Sequence, residues 1–386
     1  MRKAPKVYII ILNYNTWPET VECLESVLRI DYPNYQVVVI DNCSTNHSFE
    51  YIQRWAEGEA LSHSIRPNNA LKHLCDPPLK KPTPYLCYTR KEAELGGNTD
   101  LESAIMQTNM GPPVITTRYP LIIVQAEKNF GFAGGNNIGL RYACAKDDFE
   151  YVWILNNDTL VEADALRNLI ESAEDDKQQD RSVGIRGVKL LYYDQPDVIQ
   201  GVGGKYHKWN ALGTHIGNNE KDYGQYDSRN LPMDYVMGAS MLVSKEFLDD
   251  VGLMCEDYFL YMEEMDWIER GRKKGWEIAY CYKSRVYHKE AGSIGSNPEH
   301  GTISELGYYC GYRNRILFTK RFYPKYVTCV YFSLLGVMIY RLTKRQFNLV
   351  RLILQVIIDS LRNRTRDPSW VQRRFTQKHG GRGSLK

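Results

Sequence analysis

The chain has 386 residues, 43% of them hydrophobic and 25% charged, with a net charge of +3. That length can bury a real core as one large domain or two, and the balance is that of a globular protein. Nine cysteines, an odd number without a CxxC pair, predict reduced thiols in the cytosol and argue against a disulfide framework or a zinc site. The small net charge hides an asymmetry: residues 313–386 carry 17 Lys and Arg against two acids, while the remainder carries 32 against 44. A basic tail on a neutral-to-acidic body suits an anionic membrane, nucleic acid or an acidic partner.

The first apolar run, "VYIIIL" at residues 7–12, predicts a fully buried strand. It is too short for a signal peptide's core, and no small-residue cleavage site follows. Thr16 opens T-W-P-E, which predicts a capping box with Glu19 and a helix through "ETVECLESVL". "QVVVID" and "SFEYIQRWAEG" repeat the strand and helix, implying a parallel sheet covered on both faces. Residues 58–120 hold eight of the 16 prolines and predict an inserted, mostly irregular loop with a short helix near Lys91. The rhythm resumes with "LIIVQ", "NFGFAGGNNIGLRYA" and "YVWILNND", then a helix over residues 163–175. "VGIRGVKLLYY" and "YVMGASMLVS" predict strands, "EEMDWIERGRKKG" a helix ended by Gly275, and "WEIAYC" with "RVYH" the close of the sheet. After Gly301 the pattern is helical. The apolar stretch 327–340 reaches only about 21 Å, short of a roughly 30 Å bilayer core. "FNLVRLILQVIIDSLRNR" has the spacing of a helix lying in a membrane interface, or of a helical cap on the body. Residues from about Arg366 predict a disordered tail. The organisation expected is 1–300 as the main domain with 58–120 inserted, 301–365 as a helical region, and 366–386 as the tail.

Open α/β sheets present ligand-binding residues at the carboxyl ends of their strands. "NYNT" at residues 13–16 is one such end and "DNCST" at 41–45 another; Asp41 can accept from a pyrimidine N3–H or a ribose hydroxyl, or close an Asx turn. In "EKNFGFAGGNNIG", Gly131, Gly134 and Gly135 let backbone approach a ligand, but without the GxGxxG spacing of a dinucleotide fingerprint. Asp158 in "NNDT" fits a hard cation bridging two phosphates, and also fits helix capping. Glu263, Glu264 and Asp266 crowd one predicted helix start, where mutual repulsion raises a pKa towards that of a base and the helix N-terminus favours acids. His288 ends a strand, either as a structural histidine or as a metal ligand.

Together these stretches, with "GYRNRILFTKRFYP", resemble the inverting family 2 glycosyltransferases of GT-A fold, closest to bacterial rhamnosyltransferase-like members that build cell-surface polysaccharides. The resemblance covers most of residues 7–324 outside the insertion. It implies an α/β architecture with a mixed, mostly parallel nucleotide-binding sheet, flanking helices and a C-terminal helical membrane-associated segment. It implies Mg2+ or Mn2+ held by Asp158 and His288, with Asn156 standing where the family has the first aspartate of its D-x-D motif. Asn13, Asn15, Asp41, Asn129, Gly131, Asn136 and Asn157 are implied in the nucleotide-sugar site. Glu264 matches the family's catalytic aspartate, with Glu263 or Asp266 as alternatives. Arg313 would grip a diphosphate or pair with the acidic body. The implied partners are a nucleoside-diphosphate sugar such as dTDP-rhamnose, a growing glycan or lipid-linked acceptor, and the anionic inner leaflet, with no nucleic acid. The implied location is cytoplasmic, peripheral on the inner face of the membrane. Two rivals remain: a membrane-bound scaffold of the same fold with weakened catalysis, and a sugar-nucleotide pyrophosphorylase.

Overall fold

Five strands run parallel through the middle of the computed structural model, which describes residues 4–59, 69–108, 119–289, 296–297, 302–362 and 364. They are β1 (Val7–Asn13), β2 (Tyr35–Asp41), β3 (Tyr85–Thr89), β4 (Leu121–Gln125) and β5 (Tyr151–Asn156), in the order β3-β4-β2-β1-β5. Every residue of β1 and β2 is buried. The reason is visible along β1: Tyr8, Ile10 and Leu12 enter one hydrophobic core, while Val7, Ile9 and Ile11 enter another on the opposite face. A strand with two buried faces needs a continuous apolar run.

Helices cover both faces. α1 (Trp17–Val27) and α2 (Ser48–Glu57) follow the first two strands. α3 (Arg90–Glu94) and α4 (Thr99–Thr108) follow β3, and α5 (Gly131–Lys146) links β4 to β5. Past β5 come β6 (Thr159–Val161), α6 (Ala165–Gln178) and β7 (Val183–Tyr192). Then follow β8 (Val198–Gly201), the hairpin of β9 (Gly204–His207) and β10 (Leu212–His215), β11 (Glu220–Lys221) and β12 (Ser240–Ser244). α7 (Lys245–Val251), α8 (Glu263–Arg272) and β13 (Glu277–His288) complete the sheet-bearing part. β12 lies antiparallel between β5 and β7, while β13 runs parallel to β7 and antiparallel to β6. This is the mixed, mostly parallel sheet with flanking helices that the resemblance implies.

Several expectations change. Residues 58–120 are not mostly irregular among the described residues, because β3 is a true edge strand of the main sheet and is followed by α3 and α4. Four of its five residues are partly or fully exposed, so "YLCYT" lacks the apolar run that marks the inner strands. The short helix near Lys91 is α3, capped by Thr89 and Glu92 in a reciprocal box. Thr16 makes no such box, since its side chain does not cap α1. "WEIAYC" and "RVYH" are one strand, β13, broken by a register shift between Cys281 and Arg285.

After Ser304 come α9 (Glu305–Phe322), α10 (Val327–Thr343) and α11 (Phe347–Leu361), packed on one another. The apolar stretch is longer than 14 residues: helical structure from Pro324 to Thr343 spans 20 residues, of which little is buried. At about 1.5 Å per residue this is long and apolar enough to cross a membrane, by length and composition alone. The tail expected from Arg366 lies outside the described residues.

Candidate functional site

The strand ends converge on a cavity of about 420 Å³. Leu12 and Tyr14 at the end of β1, Asn156 at the end of β5 with Asn157 and Asp158 after it, and Gly238 and Ala239 before β12 form its floor. This is where strand order reverses, with β2 and β4 on one side of β1 and β5 on the other. Antiparallel pairing sets His288 opposite Thr159, beside Asp158. His288 Nε2 lies 3.1 Å from Asp158 Oδ1 and 3.5 Å from the Asn156 amide nitrogen. His288 Nδ1 lies 2.8 Å from Gln200 Oε1.

One carboxylate and one imidazole meet at this corner. Among the described residues no three His, Cys, Asp or Glu gather as a self-sufficient metal cage. A hard divalent ion at such a corner therefore needs further oxygens, and diphosphate and water supply them in sites of this type. The donor set fits Mg2+ or Mn2+ on those terms.

The opposite wall is the loop into α8. Phe259, Tyr261 and Met262 have φ of 65°, 71° and 73°, left-handed backbone that non-glycine residues seldom adopt. Asn314, buried on α9, holds it: its amide donates to the carbonyls of Tyr258, Leu260 and Tyr261 at 3.0, 2.7 and 3.0 Å. Gly131 is required on the other side. Its φ is +72°, and a Cβ there would stand 2.2 Å from the Phe259 carbonyl oxygen. The loop delivers Glu263 and Glu264 into the cavity. Burial pushes the Glu264 carboxyl up to about 7. Burial, then the neighbouring Glu264 charge, lifts Glu263 well above the usual carboxylate range, and its Oε2 has no hydrogen-bond partner among the described residues.

A third group forms a hydrogen-bond chain beneath the strand ends. Asn157 Nδ2 donates to Thr16 Oγ1 at 2.7 Å and to Thr20 Oγ1 at 2.8 Å. Thr20 donates to Asn13 Oδ1 at 2.8 Å, and Asn13 Nδ2 donates to Asp41 Oδ1 at 2.7 Å. The Ser44 N–H donates to the other Asp41 oxygen at 3.1 Å. Burial raises the Asp41 pKa against these bonds. Thr16 thus forgoes its capping role to hold Asn157. Asn15, at φ 59°, accepts from the Thr45 N–H at 2.7 Å and ties this loop to the β2 end. Asn129 accepts from the Gly131 N–H at 2.8 Å and from Asn42 at 3.0 Å. Asn136 donates to the Phe132 carbonyl at 3.0 Å.

The structure therefore brings Asn156, Asn157, Asp158, Glu263, Glu264 and His288 to one cavity, with Asn13, Asn15, Asp41, Asn129, Gly131 and Asn136 behind or beside it. Two expected residues do not join. Asp266 is fully buried between Arg270 at 2.7 Å, Arg321 at 2.7 Å and the Tyr258 hydroxyl at 3.0 Å, which leaves no path to a substrate proton. Arg313 donates to the Asp257 carbonyl and to Asn314 at 2.7 and 2.8 Å, bracing the loop from behind instead of entering the cavity. Gln200, His215 and Tyr235 line the cavity, and the sequence reading singled out none of them. Their segments are short and lack periodicity. Thr20 and Asn42 were equally silent, being polar residues whose partners lie on other elements. For Asn314 a signal existed in "GYRNR", but not its target.

Two family models match the chain: Glycosyl transferase family 2 over residues 8–70, and Glycosyltransferase like family 2 over residues 99–298. The low-salt glycan biosynthesis hexosyltransferase Agl10 of Haloferax volcanii is 24% identical over 213 residues, 55% of this chain and 64% of that protein. An N-acetylglucosaminyl-diphospho-decaprenol L-rhamnosyltransferase of Mycobacterium tuberculosis is 36% identical over 67 residues, 17% of this chain and 22% of that protein. The chain thus matches less than two thirds of either relative's length. Among solved structures, the mannosyltransferase PcManGT from Pyrobaculum calidifontis, in complex with GDP-Man and Mn2+, aligns at 13% identity with a TM-score of 0.46, covering 99% of this chain and 82% of that one.

Proposed function

The chain belongs to glycosyltransferase family 2, and on that premise we propose that it moves one sugar from a nucleoside-diphosphate donor to a glycan or lipid-linked acceptor with inversion. The observation that carries this reading is the meeting of Asp158, His288 and Glu264 in one cavity at the switch point of the sheet. Asp158 and His288 would hold a divalent cation, Mg2+ or Mn2+, together with diphosphate oxygens and water, and Asn156 sits beside them. The cation supplies positive charge for the leaving diphosphate.

The remaining chemistry falls to side chains. Glu264 is the base. It takes the proton of the acceptor hydroxyl as that oxygen bonds to the anomeric carbon, and the bond to the nucleoside diphosphate breaks on the opposite face. A carboxyl held near 7 is poised for this work at neutral pH. Glu263 stands beside it, its own carboxyl raised by burial and then by the Glu264 charge. Asp41, fixed by Asn13 and the Ser44 N–H, would read the nucleotide, and Asn157 anchors the floor through Thr16 and Thr20.

The mycobacterial relative's name specifies a lipid diphosphate acceptor and rhamnosyl transfer, which supports a lipid-linked acceptor and a donor such as dTDP-rhamnose. The main domain would extend to about residue 300. The following helices would form a membrane-facing segment that docks on the anionic inner leaflet from the cytoplasm, since α10 and α11 expose Phe332, Ile339, Phe347 and Leu361. The test offers a panel of nucleotide sugars with Mn2+ or Mg2+, with and without membrane lipid extract, and measures released nucleoside diphosphate. Release from one donor, enhanced by lipid extract, is expected. No release from any donor overturns the reading.

A further inference from the structure

β8 is four residues long, and Gln200 is the one that does not fit its ladder. Against β7, Gly201 pairs with Leu190 and Ile199 with Leu191, so Gln200 is the extra residue of a bulge. A bulge bends its strand and re-aims a side chain, commonly beside an active site. Here the side chain is buried, lines the cavity and presents Oε1 to His288 Nδ1. The other end of the amide, Nε2, is buried without a hydrogen-bond partner among the described residues. Buried amide donors are normally satisfied, so an unmet one at a cavity wall marks a place for an acceptor that arrives with a ligand.

We propose that Gln200 is a positioning residue for His288 and a hydrogen-bond donor to an oxygen of the bound nucleotide sugar. The inference rests on the reading of Asp158 and His288 as the cation corner. A neutral imidazole carries one proton. With Gln200 Oε1 accepting from Nδ1–H, the lone pair sits on Nε2, the nitrogen 3.1 Å from Asp158. That is the tautomer a metal-ligating histidine needs, and the partner of its other nitrogen sets it. The reversed amide would place a donor against Nδ1 and force the proton onto Nε2, facing the cation. The orientation that serves the cation thus turns the amide N–H2 away from the ring. It is then left for a phosphate oxygen or a sugar hydroxyl.

Two substitutions in the full chain separate the roles. Gln200→Met keeps the length and removes both groups; Gln200→Glu keeps the acceptor and removes the donor. Nitrogen chemical shifts report the His288 tautomer, electron paramagnetic resonance reports Mn2+ binding with nucleoside diphosphate present, and calorimetry reports affinity for nucleoside diphosphate and nucleotide sugar separately. In Gln200→Met the Nδ1–H signature is lost and Mn2+ binds about 10- to 100-fold more weakly. In Gln200→Glu the signature is kept and ligand affinity falls about tenfold. Loss with nucleoside diphosphate alone puts the acceptor on a phosphate; loss with nucleotide sugar only puts it on the sugar. An unchanged signature and Mn2+ affinity in Gln200→Met overturns the positioning role. Unchanged affinity for both ligands in Gln200→Glu overturns the contact. If the wild-type protein binds no Mn2+ with any nucleoside diphosphate, the cation reading fails, while the His288 signature still judges Gln200.

Discussion

The two walls of the cavity are built on opposite plans. At the ends of β1, β2 and β5 the polar side chains serve one another: Asn157 leans on Thr16 and Thr20, Thr20 on Asn13, and Asn13 on Asp41. Across the cavity, Glu263 Oε2 has no partner among the described residues, Glu264 is lifted to about 7, and Phe259, Tyr261 and Met262 stand in left-handed backbone. The first wall is finished before any ligand arrives. The second keeps an unmet carboxyl oxygen and a raised carboxyl, which is the signature of a surface completed by its reactants.

If that contrast is right, the largest loss comes from the second wall. Glu264→Gln removes the base while preserving shape, so transfer should fall about 10²- to 10⁴-fold. Donor affinity should hold, since the first wall and the cation corner are untouched. Single-turnover release of nucleoside diphosphate, paired with donor titration, measures both. Normal transfer by Glu264→Gln would remove Glu264 from the role.

Next in size is the brace behind the strain. Asn314→Ala strands two buried carbonyls and one part-buried carbonyl, and frees a loop that the local sequence does not favour. A cost of roughly 2–4 kcal/mol in denaturant unfolding is expected, with transfer reduced as Glu264 loses its placement. Its neighbour supplies the contrast: Arg313 is half-exposed, and Arg313→Ala should cost under about 1 kcal/mol. Equal losses would mean that the loop is held by α9 as a whole.

The pH dependence is smaller and has two opposite signs. Glu264 must be ionised to act, so kcat/KM should rise with pH to a plateau above about 7, falling about tenfold per unit below it. Stability moves the other way. Both glutamates hold their protons more tightly folded than unfolded, so between the unfolded carboxyl value of 4.5 and about 7 the folded state binds more protons. Stability conferred by the protonated pair is therefore lost as pH rises through that window. Glu264→Gln should flatten the activity profile and reduce the stability slope together. A slope unchanged by that substitution would assign it to other groups.

Legibility in the sequence divided along the same line. The inner strands announced themselves because burial on both faces demands unbroken apolar runs, and Asp41, the glycine loop and Asp158 stood at their ends. β3 was hidden because an edge strand can leave residues half-exposed among prolines. The second wall was hidden for a different reason. Phe259, Tyr261 and Met262 carry no local sign of positive φ, since the restraint lies some fifty residues away in Asn314. Asp266 looked equivalent to its neighbours until Arg270 and Arg321 were seen to enclose it. Gln200 is one polar residue in a four-residue strand, and its meaning depends on a bulge that only the pairing partner reveals.

The smallest effect expected concerns the helices after the sheet, where exposed apolar surface concentrates. Phe332, Ile339 and Tyr340 on α10 are 68%, 60% and 55% exposed, and Phe347 and Leu361 on α11 are 57% and 67% exposed. Lys344 and Arg345 in the turn between the helices, and Arg351 and Arg362 on or after α11, are exposed as well. Apolar side chains beside basic ones suit an anionic interface, where each buried side chain and each nearby cation contributes on the order of 1 kcal/mol. The double substitution Phe332→Ser with Ile339→Ser should then weaken binding to vesicles containing anionic lipid by about tenfold in a flotation assay. It should leave transfer to a water-soluble acceptor intact, because neither side chain lines the cavity. Binding by interfacial docking should also weaken as salt is raised and vanish on neutral vesicles, whereas insertion of the 20-residue helix would survive both. Salt-resistant binding to neutral lipid would replace docking with insertion, and undiminished binding by the double variant would move the membrane contact off this face altogether.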